Sequence, residues 1–172
     1  LSVGMLVERK GHHLVNGAMK HLPEYTLLIA GNGPDEKELK EQTAQNGLDS
    51  RVIFLGSLSQ ADLKQYYQLS DALVLASSRE GWANVLLESM ACGTPVVATK
   101  IWGTPEVVQS STAGLLCERT AKDIARTVEE LFINYPARNE TRQYAEQFDW
   151  SATSKGQYDI FSEIIKQNRY SS

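Results

Sequence analysis

Ala72-Leu73-Val74-Leu75-Ala76-Ser77-Ser78-Arg79-Glu80-Gly81-Trp82-Ala83-Asn84-Val85-Leu86-Leu87-Glu88-Ser89-Met90-Ala91-Cys92-Gly93-Thr94-Pro95-Val96-Val97-Ala98-Thr99 decides the fold. It opens on an unbroken apolar run, which is how a strand buried on both faces reads. A polar loop follows. The spacing then predicts a helix over 83–92, stopped by Gly93. Pro95-Val96-Val97-Ala98 is a second, short strand. Two strands joined through a helix pair in parallel by a right-handed crossover.

The same alternation extends in both directions. Toward the start, residues 1–7 read as a strand and 11–21 as a helix with Leu14, Ala18 and Leu22 on one face. Residues 25–30 form the next strand. Gly31-Asn32-Gly33-Pro34 breaks the chain, and Pro34 suits the first turn of a helix ending near Gly47. Residues 51–56 are a third strand. Ser59-Gln60-Ala61-Asp62 resembles a capping box, with Asp in place of Glu, for a helix to about Leu69. Toward the end, Gly114-Leu115-Leu116-Cys117 reads as a strand and Thr120-Ala121-Lys122-Asp123 opens a capped helix to about Asn134. Residues 136–170 read as two further helices, broken near Asp149-Trp150-Ser151. The expected fold is α/β, a doubly wound parallel sheet with a helical C-terminal tail, in one domain over 1–172.

Bulk composition narrows the chemistry. With 172 residues, 42% of them hydrophobic, the chain can bury one sizeable core. Its apolar runs fall far short of the roughly 20 residues that cross a bilayer. A net charge of −4 and the lack of a long basic run argue against nucleic acid as partner. Cys92 and Cys117 have no metal-ligand or disulfide-framework spacing, so a reduced cytoplasmic setting is expected. Leu1-Ser2-Val3-Gly4 carries no signal-peptide pattern, and a start inside a strand reads as an excised domain.

In doubly wound sheets ligands sit beyond the carboxyl ends of the strands. That singles out the loops at 7–11, 30–34, 56–59, 76–84 and 99–106. Glu80 falls in such a loop and Glu88 one to two turns into the following helix, with Gly81 to Asn84 at the helix start. Two glutamates eight apart are ordinarily solvated charges. Here Glu88 is flanked by Val85, Leu86, Leu87, Met90 and Ala91, so burial and a partner are expected. Backbone N–H groups at a helix start suit phosphates, and a carboxylate further along can accept from ribose hydroxyls.

The stretch E-G-W-A-N-V-L-L-E-S-M-A-C-G-T-P-V-V-A resembles the E-x7-E signature of retaining glycosyltransferases of the GT-B fold, glycosyl transferases group 1, family 4. The usual form is E-G-F-G-N-x-x-x-E-A-M-A-x-G-x-P-V-V-A. The resemblance implies that the chain is the Rossmann-like C-terminal half of such an enzyme. That half binds the nucleotide sugar, and the N-terminal acceptor domain lies outside the chain. It implies Glu80 on the donor sugar, Gly81, Trp82, Ala83 and Asn84 at the diphosphate, and Glu88 on the ribose. Trp82 stands for the usual Phe and Ala83 for the usual Gly. Val3-Gly4-Met5-Leu6-Val7-Glu8-Arg9-Lys10-Gly11 resembles V-G-R-L-x-x-x-K-G, in which Arg and Lys neutralise the leaving diphosphate. Lys10 matches, whereas uncharged Met5 stands in the place of Arg, and Arg9 is the nearby candidate to compensate. Gly33 falls in a G-x-G-P loop, and Leu58 in the loop that frames the base. Gly103-Thr104-Pro105-Glu106 resembles G-G-x-P-E with a single Gly.

The resemblance thus implies a retaining glycosyltransferase that moves a hexose-type sugar from a UDP-, GDP- or ADP-sugar to an acceptor glycan or lipid-linked glycan. Lys10 and Glu80 are its catalytic candidates, and no metal or other cofactor is expected. Polysaccharide assembly at the inner membrane face is the expected setting of the full-length form. A sugar-nucleotide epimerase of the same fold, a non-catalytic relative that binds nucleotide sugar, and an unrelated dinucleotide-binding domain remain alternatives. The last lacks G-x-G-x-x-G after the first strand. His12, His13 and His21 read as packing or solvent-facing residues, and Cys92 as a small buried hydrophobe.

Overall fold

The computed structural model describes residues 1–81, 83–148 and 151–169, without the side chains of 151–153 and 166–169. The strands are β1 (Ser2–Val3), β2 (Leu27–Ala30), β3 (Val52–Gly56), β4 (Leu73–Leu75), β5 (Val96–Thr99) and β6 (Gly114–Cys117). The helices are α1 (His12–Ala18), α2 (Glu36–Gln45), α3 (Gln60–Leu69), α4 (Asn84–Ala91), α5 (Thr104–Val107), α6 (Ala121–Ile133), α7 (Arg138–Ala145) and α8 (Ser151–Arg169). Single 3-10 turns, Glu8–Lys10 and Met19–His21, flank α1.

All strand pairs are parallel, in two three-stranded sheets ordered β1-β2-β3 and β4-β5-β6. The sheets abut where Val74 N donates to Leu1 O at 2.8 Å and the Leu1 amino group donates to Ala72 O at 2.9 Å. The spatial order is therefore β3-β2-β1-β4-β5-β6, that of a doubly wound Rossmann-like fold. Chain connections leave β1 and β4 in opposite directions, so the topological switch point lies between them.

Side-chain alternation along the strands splits the interior into two cores. Val74, Ala76 and Val97 face one way, against Val15, Ala18 and Met19 of the α1 region and Ile124, Val128 and Leu131 of α6. Leu73, Leu75, Val96 and Ala98 face the other, against Leu63 and Tyr67 of α3, Leu86 and Met90 of α4, and Val107 of α5. Two helix starts use the expected caps: Ser59 Oγ accepts from Asp62 N, and Thr120 Oγ1 accepts from Asp123 N, each at 3.1 Å. Such caps contribute about 1 kcal/mol apiece.

Several elements differ from the sequence expectation. The first strand is Ser2–Val3 alone rather than 1–7. Leu6 is buried because its backbone turns into the 31–35 loop, with Leu6 N donating to Asn32 O and Asp35 N to Leu6 O. An apolar residue there plugs a loop and pairs with no strand. The helix expected over 11–21 divides into α1 and the Met19–His21 turn, and Pro34 precedes α2 rather than opening it. The Gly103-Thr104-Pro105-Glu106 segment, given no element from the sequence, holds the start of the short helix α5. The break expected at Asp149 and Trp150 lies outside the described residues.

Candidate functional site

Two loops meet beyond the carboxyl ends of β1 and β4. Gly11 makes the meeting possible. Its φ is 72°, and a Cβ there would stand 2.1 Å from Ala76 O, so only glycine lets the chain cross the end of β4 this closely. The Glu8–Lys10 turn is then strapped to the loop after β4. Ser78 N donates to Arg9 O at 2.8 Å, and the Arg9 guanidinium donates to Arg79 O at 2.9 Å. Arg119, just past β6, braces both loops by donating from Nε to Ala76 O and from its second terminal nitrogen to Glu8 O.

This strapping brings Lys10 and Glu80 together. Lys10 Nζ lies 2.5 Å from Glu80 Oε1, with the side chains 16% and 12% exposed. Ser77 Oγ donates to the same oxygen at 2.7 Å. Arg9, Lys10, Arg79 and Arg119 stand with Glu8, Glu80 and Glu118 in these segments, a local excess of positive charge in a chain of net charge −4. Such a field attracts an anion.

The start of α4 closes the crevice. Among the described residues no side chain caps it, so its first turn keeps unpaired N–H groups and the positive end of the helix dipole. Gly81 is exposed, and among the described residues no atom lies within 4 Å of the position a Cβ would take, which leaves that face of its backbone open to close approach. Ala83 is buried at the N-cap, and Asn84 is exposed in the first turn. Trp82 lies outside the described residues. Glu88 is half-buried further along α4, and its Oε2 accepts a 2.9 Å hydrogen bond from Tyr67 of α3. Burial, and then the Glu88 carboxylate, push the Tyr67 phenol above its ordinary range, so it remains a donor.

The remaining candidates are placed less centrally. Leu58 lines a cavity of about 240 Å³ with Val3, Gly4, Met5, Asn32 and Ser57, beyond the ends of β1 to β3. Gly33 is pressed on the backbone of Leu6, 2.3 Å from a virtual Cβ to Leu6 O, and its neighbour Asn32 lines the cavity instead. Met5 is 62% exposed at that cavity. Arg9 is committed to Arg79 O. His12 is buried; its Nδ1 lies 3.0 Å from Ser2 Oγ, and among the described residues its Nε2 has no partner. Burial lowers its pKa to about 4, and the Lys10 ammonium adds to the shift. His13 is half-buried and His21 exposed. Cys92, expected to be buried, is only half so, because it caps α4 at the surface. Among the described residues no three His, Cys, Asp or Glu side chains gather as metal ligands, and no described helix is long and apolar enough to cross a membrane.

Sequence reasoning missed Ser77, Tyr67 and Arg119. Ser77 could have been suspected three residues before Glu80. Tyr67 and Arg119 act across 21 and 43 residues, and no local pattern signals them.

Comparisons with known proteins agree with this geometry. The family model for glycosyl transferases group 1 matches residues 1–148. The lipopolysaccharide core biosynthesis glycosyltransferase LpsE of Rhizobium meliloti is 35% identical over 132 residues, covering 76% of this chain and 38% of LpsE. Anabaena Alr3699/HepE, solved in complex with UDP, superposes with a TM-score of 0.82 at 27% identity, covering 94% of this chain and 48% of that one. The C-terminal domain of the group 1 protein LpcC from Francisella tularensis gives a TM-score of 0.75 at 25% identity, covering 86% and 84% of the two chains. The chain thus spans less than half of LpsE and of HepE, yet most of an isolated C-terminal domain. With its crevice at the switch point and a family match across most of its length, this chain belongs to the glycosyl transferases group 1 family.

Proposed function

We propose that the chain is the donor half of a retaining glycosyltransferase and seats a nucleoside-diphosphate sugar between β1 and β4. The observation that carries this reading is the Lys10–Glu80 pair at the loop leading into α4, whose start no described side chain caps. Lys10 and the α4 N–H groups would stabilise charge on the departing diphosphate without a metal. Glu80 would accept from donor-sugar hydroxyls. Glu88, oriented by Tyr67, would accept from the ribose, and the cavity beside Leu58 would take the base. That HepE, of the same fold at 27% identity, was solved with UDP supports a nucleotide as the ligand. The acceptor glycan, or lipid-linked glycan, would approach from a second domain outside this chain. It would attack from the face that the diphosphate leaves, which retains the anomeric configuration.

Calorimetry of the chain with UDP, GDP and ADP, in buffer containing EDTA, tests the reading. One diphosphate is expected to bind, and Glu88→Ala to weaken it by about 1–3 kcal/mol through lost ribose hydrogen bonds. Unchanged binding by the variant would remove Glu88 from the site, and a requirement for metal would sink the metal-free reading. A second reading, a non-catalytic relative that binds nucleotide sugar, is favoured by Met5, which is exposed and uncharged where the family pattern has Arg.

A further inference from the structure

Trp102 is held in a conformation that its residue type resists. Its φ is 41°, and it is the described non-glycine residue with a positive φ. It takes the first central position of the turn that Thr104 N closes onto Ile101 O at 2.9 Å. With positive φ this position ordinarily goes to glycine. The surroundings enforce it. Buried Thr104 accepts from Ile101 N at 3.0 Å, and its hydroxyl lies within donating reach of Thr99 O and Ile101 O, at 2.6 and 2.7 Å. Gly103 is jammed against the neighbouring loop, 2.6 Å from a virtual Cβ to Gly81 O. The turn is therefore locked onto the loop that carries Glu80.

Packing does not explain an indole here, because Trp102 is 67% exposed. Its one described ring contact is the Arg79 guanidinium, 5.0 Å from the ring centroid. Arg79 directly precedes Glu80, so the ring stands at the rim of the crevice with Arg79 against it and most of its surface open. Strain that the surroundings over-determine, at an exposed residue beside a reactive pair, is the pattern of a ligand clamp. An indole face matches the C–H face of a pyranose ring, whose slightly positive hydrogens meet the negative π-cloud.

We propose that Trp102 is a sugar platform: its open face carries the pyranose ring of the donor while Arg79 steadies the ring from beside it. The inference rests on the donor-site reading above and adds a residue that contacts the sugar rather than the nucleotide. Affinities of the chain for UDP-glucose, GDP-mannose and ADP-glucose, each beside its parent diphosphate, test it with Trp102→Gly and Trp102→Phe. Trp102→Gly suits the backbone, so it is expected to melt no lower than the parent. Its affinity for the preferred sugar nucleotide should be about fivefold to tenfold weaker, with the parent diphosphate bound as before. Trp102→Phe should recover most of the loss. Equal weakening of diphosphate and sugar nucleotide, or no weakening of either, overturns the platform and leaves the donor site standing. A parent chain that binds none of the six overturns both.

Discussion

Glu80 shows how a single oxygen organises the site. Oε1 accepts from both Lys10 and Ser77, so two donors fix the carboxylate before any ligand arrives. Positioning of that kind lowers the ordering cost of binding. His12 makes a different, measurable contribution. Burial holds its pKa near 4, against 6.5 for an open histidine, so the unfolded chain binds more protons between those values. Stability from the neutral imidazole is thus fully present above about pH 6.5 and is lost as pH falls toward 4. The loss is on the order of 3 kcal/mol. Urea unfolding across this window should show a flatter pH dependence for His12→Gln than for the parent. Identical slopes would mean that the buried imidazole is not the titrating group. The sequence offered no means of telling His12 from His13: both open the same helix, and only the fold puts one beneath β1 and the other at the surface.

At the scale of elements, the turn–helix unit of Glu8–Lys10 and α1 carries the most consequence per residue. Gly11 permits it to cross the end of β4. Gly11→Ala should destabilise the chain by roughly 2 kcal/mol or more, since strained φ and a steric clash combine. Gly47→Ala is the control: φ is 64° there, but no atom lies within 4 Å of the added carbon, so roughly 1 kcal/mol is expected. Equal losses in chemical denaturation would show that the contact with Ala76 O adds nothing. Elements with a strong local code were legible: the capped helices α3 and α6, the double-buried β4 and the short β6 fall where the sequence put them. Those shaped by distant partners were not. Leu6 looked like strand and proved to be a loop plug, and α5, at four residues, is too short to leave a periodic pattern in the sequence.

For the molecule as a whole, Lys10 and Glu80 lie beyond the carboxyl ends of the strands, where the two sheets abut. Lys10 and Glu80 could be paired in advance because both sit past strands that a doubly wound order places side by side. The braces could not, since Arg119 reaches across from beyond β6 and Tyr67 from helix α3. On the proposed reading the acceptor is presented by a second domain. The chain alone is therefore expected to take up a sugar nucleotide without transferring its sugar. Radiolabelled donor offered with glycan acceptors checks this, and transfer above background would mean that the second domain is unnecessary.

The doubly apolar character of β4 has one more consequence. A strand that alternates oil with water carries its own alignment mark, because sliding it by one residue would turn its greasy side outward. β4 is oily on both sides, so a one-residue slide would exchange one aliphatic set for another at little cost. Its alignment must be written at the ends. Thr94 and Arg138 grip the backbone at Tyr67, Gln68 and Ser70 ahead of the strand, while Gly11 and Arg119 close on Ala76 behind it. Those polar latches decide which residue emerges first from the sheet, and four positions later they decide where Glu80 points.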